Sequence, residues 1–237
     1  MYAADCFAIE WAAIIDVHLA WIPIQLQLPY FHVLCVQTMP DNLVAQTNVD
    51  ASRRIRSFVQ RSRRMTPAQQ QAFEQQWDRY GLQLDTGLLK LHQVFGNDHP
   101  VILEIGFGMG DSLIAMASVM TQYNFLGVEV HKPGISRLLN QAAGSDLGNI
   151  RIFYDDVVDV LYQGIPNHSL AGVQLFFPDP WHKKRHHKRR LVQAAFVQDI
   201  RAKLMRGGSL HMATDWQPYA EHMLRVMEAA EGFTNSQ

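Results

Sequence analysis

Residues 101–120, VILEIGFGMGDSLIAMASVM, contain the pattern that decides the fold of this chain. The apolar run Val101–Leu103 predicts a short buried strand, and the segment from Asp111 onward has the apolar spacing of a helix. Between them, three glycines alternate with other residues: Gly106, Gly108 and Gly110. A strand, a glycine-rich turn and a helix in this order let a nucleotide-like ligand approach the backbone at the helix N-terminus.

The residues around the glycine turn indicate which nucleotide-like ligand it binds. The dinucleotide fingerprint has the spacing GxGxxG, whereas this turn reads GxGxG and continues into Asp111. Glu104 stands two residues before the first glycine, and its carboxylate would repel a pyrophosphate. A carboxylate suits a ligand that carries an ammonium and a sulfonium group. The turn and Glu104 therefore predict a site for S-adenosylmethionine.

Two more predicted strands end at acids. Phe125–Val128 predicts a second strand that ends at Glu129, where a carboxylate can accept hydrogen bonds from both ribose hydroxyls. Asn149–Tyr154 predicts a third strand, which ends at the two acids Asp155 and Asp156. Asp156 could hold an adenine amino group or could cap the next helix. Acids at three successive strand ends favour a shared ligand at that edge of the sheet.

The rest of the chain continues the alternation of strands and helices that begins at Pro100. Gly172–Phe177 predicts a fourth strand, residues 189–206 predict a helix that stops at two glycines, and Ser209–Thr214 predicts a fifth strand. A last helix extends to about residue 230. This order predicts an α/β fold over residues 100–237, a Rossmann-like three-layer α/β/α sandwich with a mostly parallel sheet.

The stretch QLFFPDPWHKKRHHKRR, residues 174–190, brings an acid, an aromatic and a polycation together in one turn. Two prolines flank Asp179 at the end of the fourth strand and restrict its conformation. Trp181 follows, and it either stacks on a base or covers the core. Residues 183–190 contain six Lys or Arg and two His in eight positions. A rigid carboxylate beside such a cluster predicts catalysis next to a polyanion.

Residues 1–38 differ in composition from the rest of the chain. They are apolar, contain three acids and no Lys or Arg, and lack the positive start of a secretory signal. Residues 17–36 are long enough to cross a bilayer, but two prolines and several polar residues interrupt them. A membrane anchor is therefore the second choice, and the favoured interpretation is that Met39 is the natural start.

Residues 39–99 contain an Arg-rich arm and a helix. Six Arg and no acid lie between Arg53 and Arg64, which predicts a phosphate-binding arm or a solvated tail. Thr66, followed by a proline, predicts the N-cap of a helix. The net charge of −1 thus conceals two concentrated basic stretches. With two cysteines and no spacing typical of zinc ligands, we expect a reduced cytoplasmic protein without a metal.

Five motifs taken together extend this interpretation. They are RRIRSFV at Arg53–Val59, LEIGFGMG at Leu103–Gly110, GVEVH at Gly127–His131, the stretch 174–190, and HMATDWQPYAEHM at His211–Met223. Together they resemble the bacterial tRNA (guanine-N7-)-methyltransferase family. The glycine turn alone would indicate only a class I methyltransferase, whereas the Pro-Asp-Pro-Trp turn with its basic run is specific to that family. The resemblance excludes residues 1–38.

The resemblance implies an enzyme that transfers a methyl group from S-adenosylmethionine to N7 of a guanosine in tRNA, at position 46 of the variable loop. It implies that four acids contact the cofactor: Glu104, Glu129, Asp156 and Asp179. Asp179 would also be the catalytic acidic residue. Lys183 and Asp215 would contact the guanosine, and the basic run would contact RNA through Arg185, His186, His187, Lys188, Arg189 and Arg190.

The chain departs from the family near its C-terminus. In the family, the fifth strand and its helix are followed by further strands with a Thr-x-x-Glu motif at the active site. This sequence stops at Gln237, before that region. We therefore expect a fold truncated after the fifth strand and its helix, which would leave that strand as an exposed edge.

The chemistry implied by the resemblance needs no general base, because guanine N7 has a free lone pair. Asp179 would stabilise the positive charge that moves onto the base, and Asp215 would accept hydrogen bonds from guanine N1–H and N2–H₂. One alternative is a class I methyltransferase for rRNA, protein or a small molecule. Another is a non-catalytic RNA-binding protein with a remnant cofactor pocket. With tRNA as its partner, we expect a monomer.

Overall fold

Eight strands form one sheet within residues 32–38 and 65–235, the parts of the chain that the computed structural model describes. In chain order they are β1 His32–Thr38, β2 Gly81–Leu82, β3 Val101–Ile105, β4 Asn124–Val128, β5 Ile150–Phe153, β6 Leu170–Phe176, β7 Leu204–Thr214 and β8 Phe233–Asn235. Their order across the sheet is β2-β5-β4-β3-β6-β7-β1-β8. The strands β2 to β7 are parallel to one another, whereas β1 runs antiparallel to both of its neighbours.

Seven α-helices accompany these strands in the same described ranges. They are α1 Pro67–Tyr80, α2 Leu91–Phe95, α3 Asp111–Val119, α4 Lys132–Gly144, α5 Val157–Asp159, α6 Ala194–Lys203 and α7 Gln217–Glu228. A π-helical turn, Val160–Gly164, continues α5, and two 3-10 helices lie at Leu84–Thr86 and Lys184–Arg189. Helices therefore separate most of the parallel strands, as in other α/β folds.

The sheet has a hydrophobic core on each face, and β3 contributes to both. All five residues of β3 are buried. Val101, Leu103 and Ile105 pack with side chains of α5, α6 and α7, whereas Ile102 packs with α3 and α4 on the other face. Because successive side chains of a strand point to opposite faces, the run VILEI serves both layers of helices. The predicted three-layer α/β/α sandwich with a mostly parallel sheet is confirmed.

The region before β7 differs from the prediction. The sequence pattern predicts one helix over residues 189–206, but α6 covers only Ala194–Lys203 and β7 already begins at Leu204. The two glycines that were expected to end the helix lie inside the strand. Gly207 has a φ of 75°, and the pairing register of β6 and β7 shifts in this region. An irregularity built on glycine therefore lengthens the strand.

The predicted exposed edge at β7 is wrong. β1 pairs antiparallel with β7 from His32 opposite Thr214 to Gln37 opposite Ser209, and β8 pairs with the far side of β1. The Thr38 hydroxyl adds a hydrogen bond of 3.0 Å to the Met205 carbonyl oxygen. The apolar segment around Val36 has the composition of a strand, and it covers the edge that the C-terminal pattern left open.

The predicted helix after the Arg-rich arm is confirmed at α1. The Thr66 side chain accepts from the Gln69 N–H, and the Gln69 side chain accepts from the Thr66 N–H, which forms a capping box. The arm itself and residues 1–31 lie outside the described residues. Within the described ranges, no helix combines the length and apolar character needed to span a membrane.

Candidate active site

The glycine turn between β3 and α3 lies at the carboxyl end of the central strands. Gly106, Gly108 and Gly110 all have positive φ values, of 72°, 58° and 83°. Residues with a Cβ rarely adopt this backbone conformation. Gly134 of α4 packs against the turn so closely that a Cβ there would lie 1.9 Å from the Gly108 carbonyl oxygen. The path of the turn is therefore fixed both by its own glycines and by α4.

Glu129, at the end of β4, joins the glycine turn to the start of α4. Its side chain is buried. One carboxylate oxygen accepts a hydrogen bond of 2.8 Å from the Gly108 N–H, and the other accepts from the N–H groups of Val130 and His131 at 2.6 and 2.9 Å. The carboxylate therefore holds the turn in place while it also lines the cleft described below.

Glu104, the penultimate residue of β3, is a buried carboxyl with one satisfied oxygen. The Ser112 hydroxyl of α3 donates a hydrogen bond of 2.6 Å to Oε1. Oε2 has no hydrogen-bond partner among the described residues. Burial, reinforced by the charge of Glu129, raises the pKa of Glu104 to about 7 although the Ser112 hydrogen bond opposes the shift. A buried acceptor without a partner suits a cationic ligand group.

The two acids after β5 have different surroundings. Asp156 is buried, and its carboxylate accepts the Val158 N–H at 3.0 Å as the N-cap of α5. Of the two roles that the sequence left open, the structure shows the cap. Asp155 is exposed overall and lines the cleft. Partial desolvation of its carboxyl raises the pKa of this group. Sequence reasoning placed both acids at the strand end but selected Asp156 as the site residue, because two adjacent acids differ only in the direction of their side chains.

A cleft of about 700 Å³ opens at the carboxyl ends of β3, β4 and β6. It brings together residues from four loops: Gly106, Glu129, His131, Asp155, Phe177, Asp179, Trp181, Lys183, His186 and Leu191. Four of the predicted cofactor, catalytic and guanosine contacts thus share one cavity: Gly106, Glu129, Asp179 and Lys183. The other five are not among its lining residues: Glu104, Gly108, Gly110, Asp156 and Asp215. Across residues 32–38 and 65–235, no group of three or more His, Cys, Asp or Glu side chains could hold a metal ion.

Asp179 is exposed at the tip of a turn with an unusual backbone. Phe177 and Trp181, on its two sides, have φ values of 50° and 48°, which cost roughly 1–3 kcal/mol each for residues with a Cβ. The Phe177 N–H donates a hydrogen bond of 2.9 Å to the Ala213 carbonyl oxygen of β7. This bond places the turn beside the end of β7, where the exposed Asp215 follows.

The basic run forms a 3-10 helix at the rim of the cleft. Its exposed cations are Lys183, Lys184, Arg185 and Lys188, while His186, His187 and Arg189 are half-buried. The Arg189 guanidinium lies 5.1 Å from the centre of the Trp181 ring, and the His186 ring meets the same ring edge-on at 5.8 Å. Trp181 therefore packs against the basic helix, a position that neither sequence interpretation included.

Arg190 lies inside the protein, unlike the rest of the run. Its side chain is 4% exposed, and its Nε donates a hydrogen bond of 2.9 Å to the Pro180 carbonyl oxygen. Val192, two residues further along the chain, belongs to the hydrophobic core, so the backbone enters the protein interior at this point. The resemblance implies that Arg190 contacts RNA, whereas the structure shows this residue buried. Charge composition gives no direction for a side chain, so the sequence held no signal for this.

This chain is similar to several known proteins. Residues 98–237 match the family described as "Putative methyltransferase". A tRNA (guanine-N(7)-)-methyltransferase of Shewanella frigidimarina is 54% identical over 199 residues, 83% of this chain and 84% of the relative. That of Aeromonas hydrophila is 55% identical over 184 residues, 78% of each chain. An rRNA methylase structure from Streptococcus thermophilus covers 56% of this chain and 72% of its own at 12% identity, with a TM-score of 0.43.

Proposed function

Because the chain belongs to the tRNA (guanine-N(7)-)-methyltransferase family, we propose that it methylates N7 of guanosine 46 in the variable loop of tRNA, with S-adenosylmethionine as the methyl donor. The observation that carries the proposal is the single cleft shared by Glu129, Asp179 and Lys183. The basic helix begins at the rim of this cleft, so a bound polyanion would present a base to it. A tRNA substrate implies a cytoplasmic protein.

The residues around the glycine turn fit S-adenosylmethionine, which supplies an electrophilic methyl group on a sulfonium when bound. Glu104 would accept a hydrogen bond from its ammonium group, since one buried carboxyl oxygen lacks a partner among the described side chains. Glu129 would accept from ribose hydroxyls, and Asp156 would lie near the adenine. Gly106, Gly108 and Gly110 would let the ligand approach the backbone closely.

Residues of this chain would orient the base and stabilise its charge, rather than remove a proton. Guanine N7 already has a lone pair, and its methylation makes the purine cationic. Asp179 provides a fixed negative charge in the cleft for that cation. Asp215 would accept from guanine N1–H and N2–H₂, which adenine lacks, and Lys183 would contact the guanosine. Alignment and exclusion of water would supply the remaining acceleration.

The cations at the rim would bind the phosphates on either side of the target base. Lys184, Arg185 and Lys188 are exposed and have no competing acid in their own helix. In an A-form helix, N7 faces a deep and narrow groove that protein side chains cannot enter. The target must therefore be unstacked or accessible, which favours a loop guanosine over one in a stem.

The test is methylation of unmodified tRNA transcripts with labelled S-adenosylmethionine, followed by chemical cleavage at 7-methylguanosine to map the site. We expect one modified position, guanosine 46, and none in a transcript with adenosine at that position. A label on rRNA or protein, but none on tRNA, would establish a different substrate. Tight tRNA binding without methyl transfer would establish a binding protein.

The matched pair of variants is Asp179→Ala and Asp98→Ala. Asp98 is an exposed acid that precedes β3, at the end of the sheet opposite the cleft. We expect Asp179→Ala to abolish methylation while tRNA binding remains, and Asp98→Ala to retain wild-type rates. Near-normal turnover by Asp179→Ala would contradict the role of Asp179.

A further inference from the structure

Arg190 connects the turn that carries Asp179 to the beginning of α7. Its Nε donates to the Pro180 carbonyl oxygen at 2.9 Å. Its guanidinium carbon lies 5.4 Å from the centre of the Trp216 ring and 5.0 Å from that of Tyr219, two residues of the segment that begins α7. At 4% exposure, the side chain is almost completely withdrawn from solvent and from any ligand at the surface.

A second contact joins the same two segments. The His182 ring lies 4.5 Å from the Trp216 ring in an edge-on arrangement. Trp216 therefore touches both Arg190 and the residue after the Pro-Asp-Pro-Trp turn. Since Trp216 directly follows Asp215, these contacts link the segment that carries Asp215 to the turn that carries Asp179.

The Phe177 N–H anchors the start of the turn to β7, and Arg190 adds support at its other end. Pro178 and Pro180 have no N–H to donate. Phe177 and Trp181 adopt positive φ values that persist only where the surroundings enforce them. The Pro180 carbonyl oxygen is a polar group of the turn that a side chain can hold, and Arg190 holds it.

We propose that Arg190 is a positioning residue that fixes Asp179 and Asp215 relative to each other, and that it does not contact tRNA. The inference rests on the proposed function for the roles of the two acids. A planar guanidinium can stack between aromatic rings and donate from its edge at the same time. A lysine ammonium cannot do both, so Arg190→Lys keeps the charge and loses the geometry.

The first test separates kcat from KM for tRNA in Arg190→Ala, Arg190→Lys and the neighbouring Arg189→Ala. We expect both Arg190 variants to lower kcat about 10- to 100-fold, because small displacements of catalytic groups have effects of this size. Their KM for tRNA and the salt dependence of binding should stay within about twofold of wild type. Arg189→Ala should instead raise KM. If Arg190→Ala raised KM at unchanged kcat and Arg190→Lys restored it, Arg190 would be an RNA contact and the proposal would fail.

The second test measures coupling to Trp216. Trp216→Ala removes one ring from the guanidinium without changing a charge, and it should reduce kcat in the same way. Because both changes release the same turn, the double variant Arg190→Lys with Trp216→Ala should be no worse than the poorer single variant. Additive losses would show that the two residues act independently and would overturn the proposal.

The third test does not depend on methylation. Hydrogen exchange of the Phe177 amide, which is bonded to the Ala213 carbonyl oxygen, should be about tenfold faster in Arg190→Lys, with the α6 amides still protected. Unchanged exchange in the turn would overturn the positioning role. If the wild-type protein failed to methylate tRNA, the proposed function would fall, and this measurement would still decide whether Arg190 holds the turn.

Discussion

The Ser112 hydroxyl donates a hydrogen bond of 2.6 Å to one oxygen of the buried Glu104 carboxyl, and the other oxygen has no partner in the described part of the chain. Burial raises the pKa of this group from an ordinary 4.5 to about 7. Between these values the folded protein binds more protons than the unfolded chain. We therefore expect Glu104 to lower the free energy of unfolding as pH rises from about 4.5 to about 8, by at most about 3 kcal/mol, with no further change at higher pH.

Urea unfolding of the wild type and Glu104→Gln at pH 5 and pH 7.5 measures this effect. Glutamine is neutral at both values and can still accept from Ser112. The stability of the variant relative to wild type should therefore increase between the two pH values. Parallel pH dependence of the two proteins would mean that Glu104 does not titrate in this range.

Binding of a cationic ligand should lower the raised pKa of Glu104 again. The ammonium group of S-adenosylhomocysteine favours ionised Glu104, so we expect about half a proton to be released on binding at pH 7. Calorimetric titrations in phosphate and in Tris, which differ in ionisation enthalpy, measure this number. 5′-Methylthioadenosine lacks the ammonium and is the control ligand. Equal proton release from both ligands would exclude Glu104 as the partner of the ammonium.

Asp215 should make the enzyme discriminate between purines with and without an amino group at N2. A tRNA with inosine at the target position lacks the N2 amino group but keeps N7. Wild-type protein should prefer guanosine to inosine in kcat/KM by about 10-fold or more, and Asp215→Asn should lose most of that preference. Glu221→Gln, an exposed change in α7, should keep it. Unchanged discrimination in Asp215→Asn would mean that another group recognises the N1–H and N2–H₂ groups of guanine.

Cations at the rim should make tRNA binding sensitive to salt. Removal of one phosphate contact by Lys188→Ala should weaken binding and reduce the slope of log affinity against log salt concentration by roughly 0.7–0.9. Lys90→Ala removes an exposed cation at the start of α2, outside the cleft lining, and should not change the slope. Filter binding between 50 and 300 mM salt, about the range in which counterion release dominates, measures both. A salt-independent affinity would contradict the RNA interface.

The strand β1 should contribute to the stability of the whole sheet. Val36 is 3% exposed and belongs to the core that includes residues of β7 and α7. We expect Val36→Ala to lower the free energy of unfolding by about 1–2 kcal/mol, the value of the buried groups it removes. Gln37→Ala, on the neighbouring half-buried position of the same strand, should change it by less than about 0.5 kcal/mol. Equal stability of the two variants would mean that β1 does not dock on this sheet in solution.

Structure that depends on residues close together in the chain could be predicted from the sequence. Contacts between residues far apart in the chain could not. The turn from Glu104 to Gly110 was predictable because strand, glycines and helix follow one another along the chain. The pairing of β1 with β7 was not, since nothing local to either strand identifies its partner. Arg190 was misjudged, and Asp156 was selected over Asp155, because composition and spacing give the chemistry of a side chain but not its direction.

Thr38 and Met205, whose hydrogen bond joins β1 to β7, are 167 positions apart. On the ribosome, β1 is therefore made long before the strand it pairs with. Most of the parallel strands can pair with a neighbour soon after they emerge, but the edge of β7 is covered only when β1 returns to it. Closure of the sheet is thus a late event in synthesis, and for the intervening time both strand edges are available to chaperones or to other nascent chains.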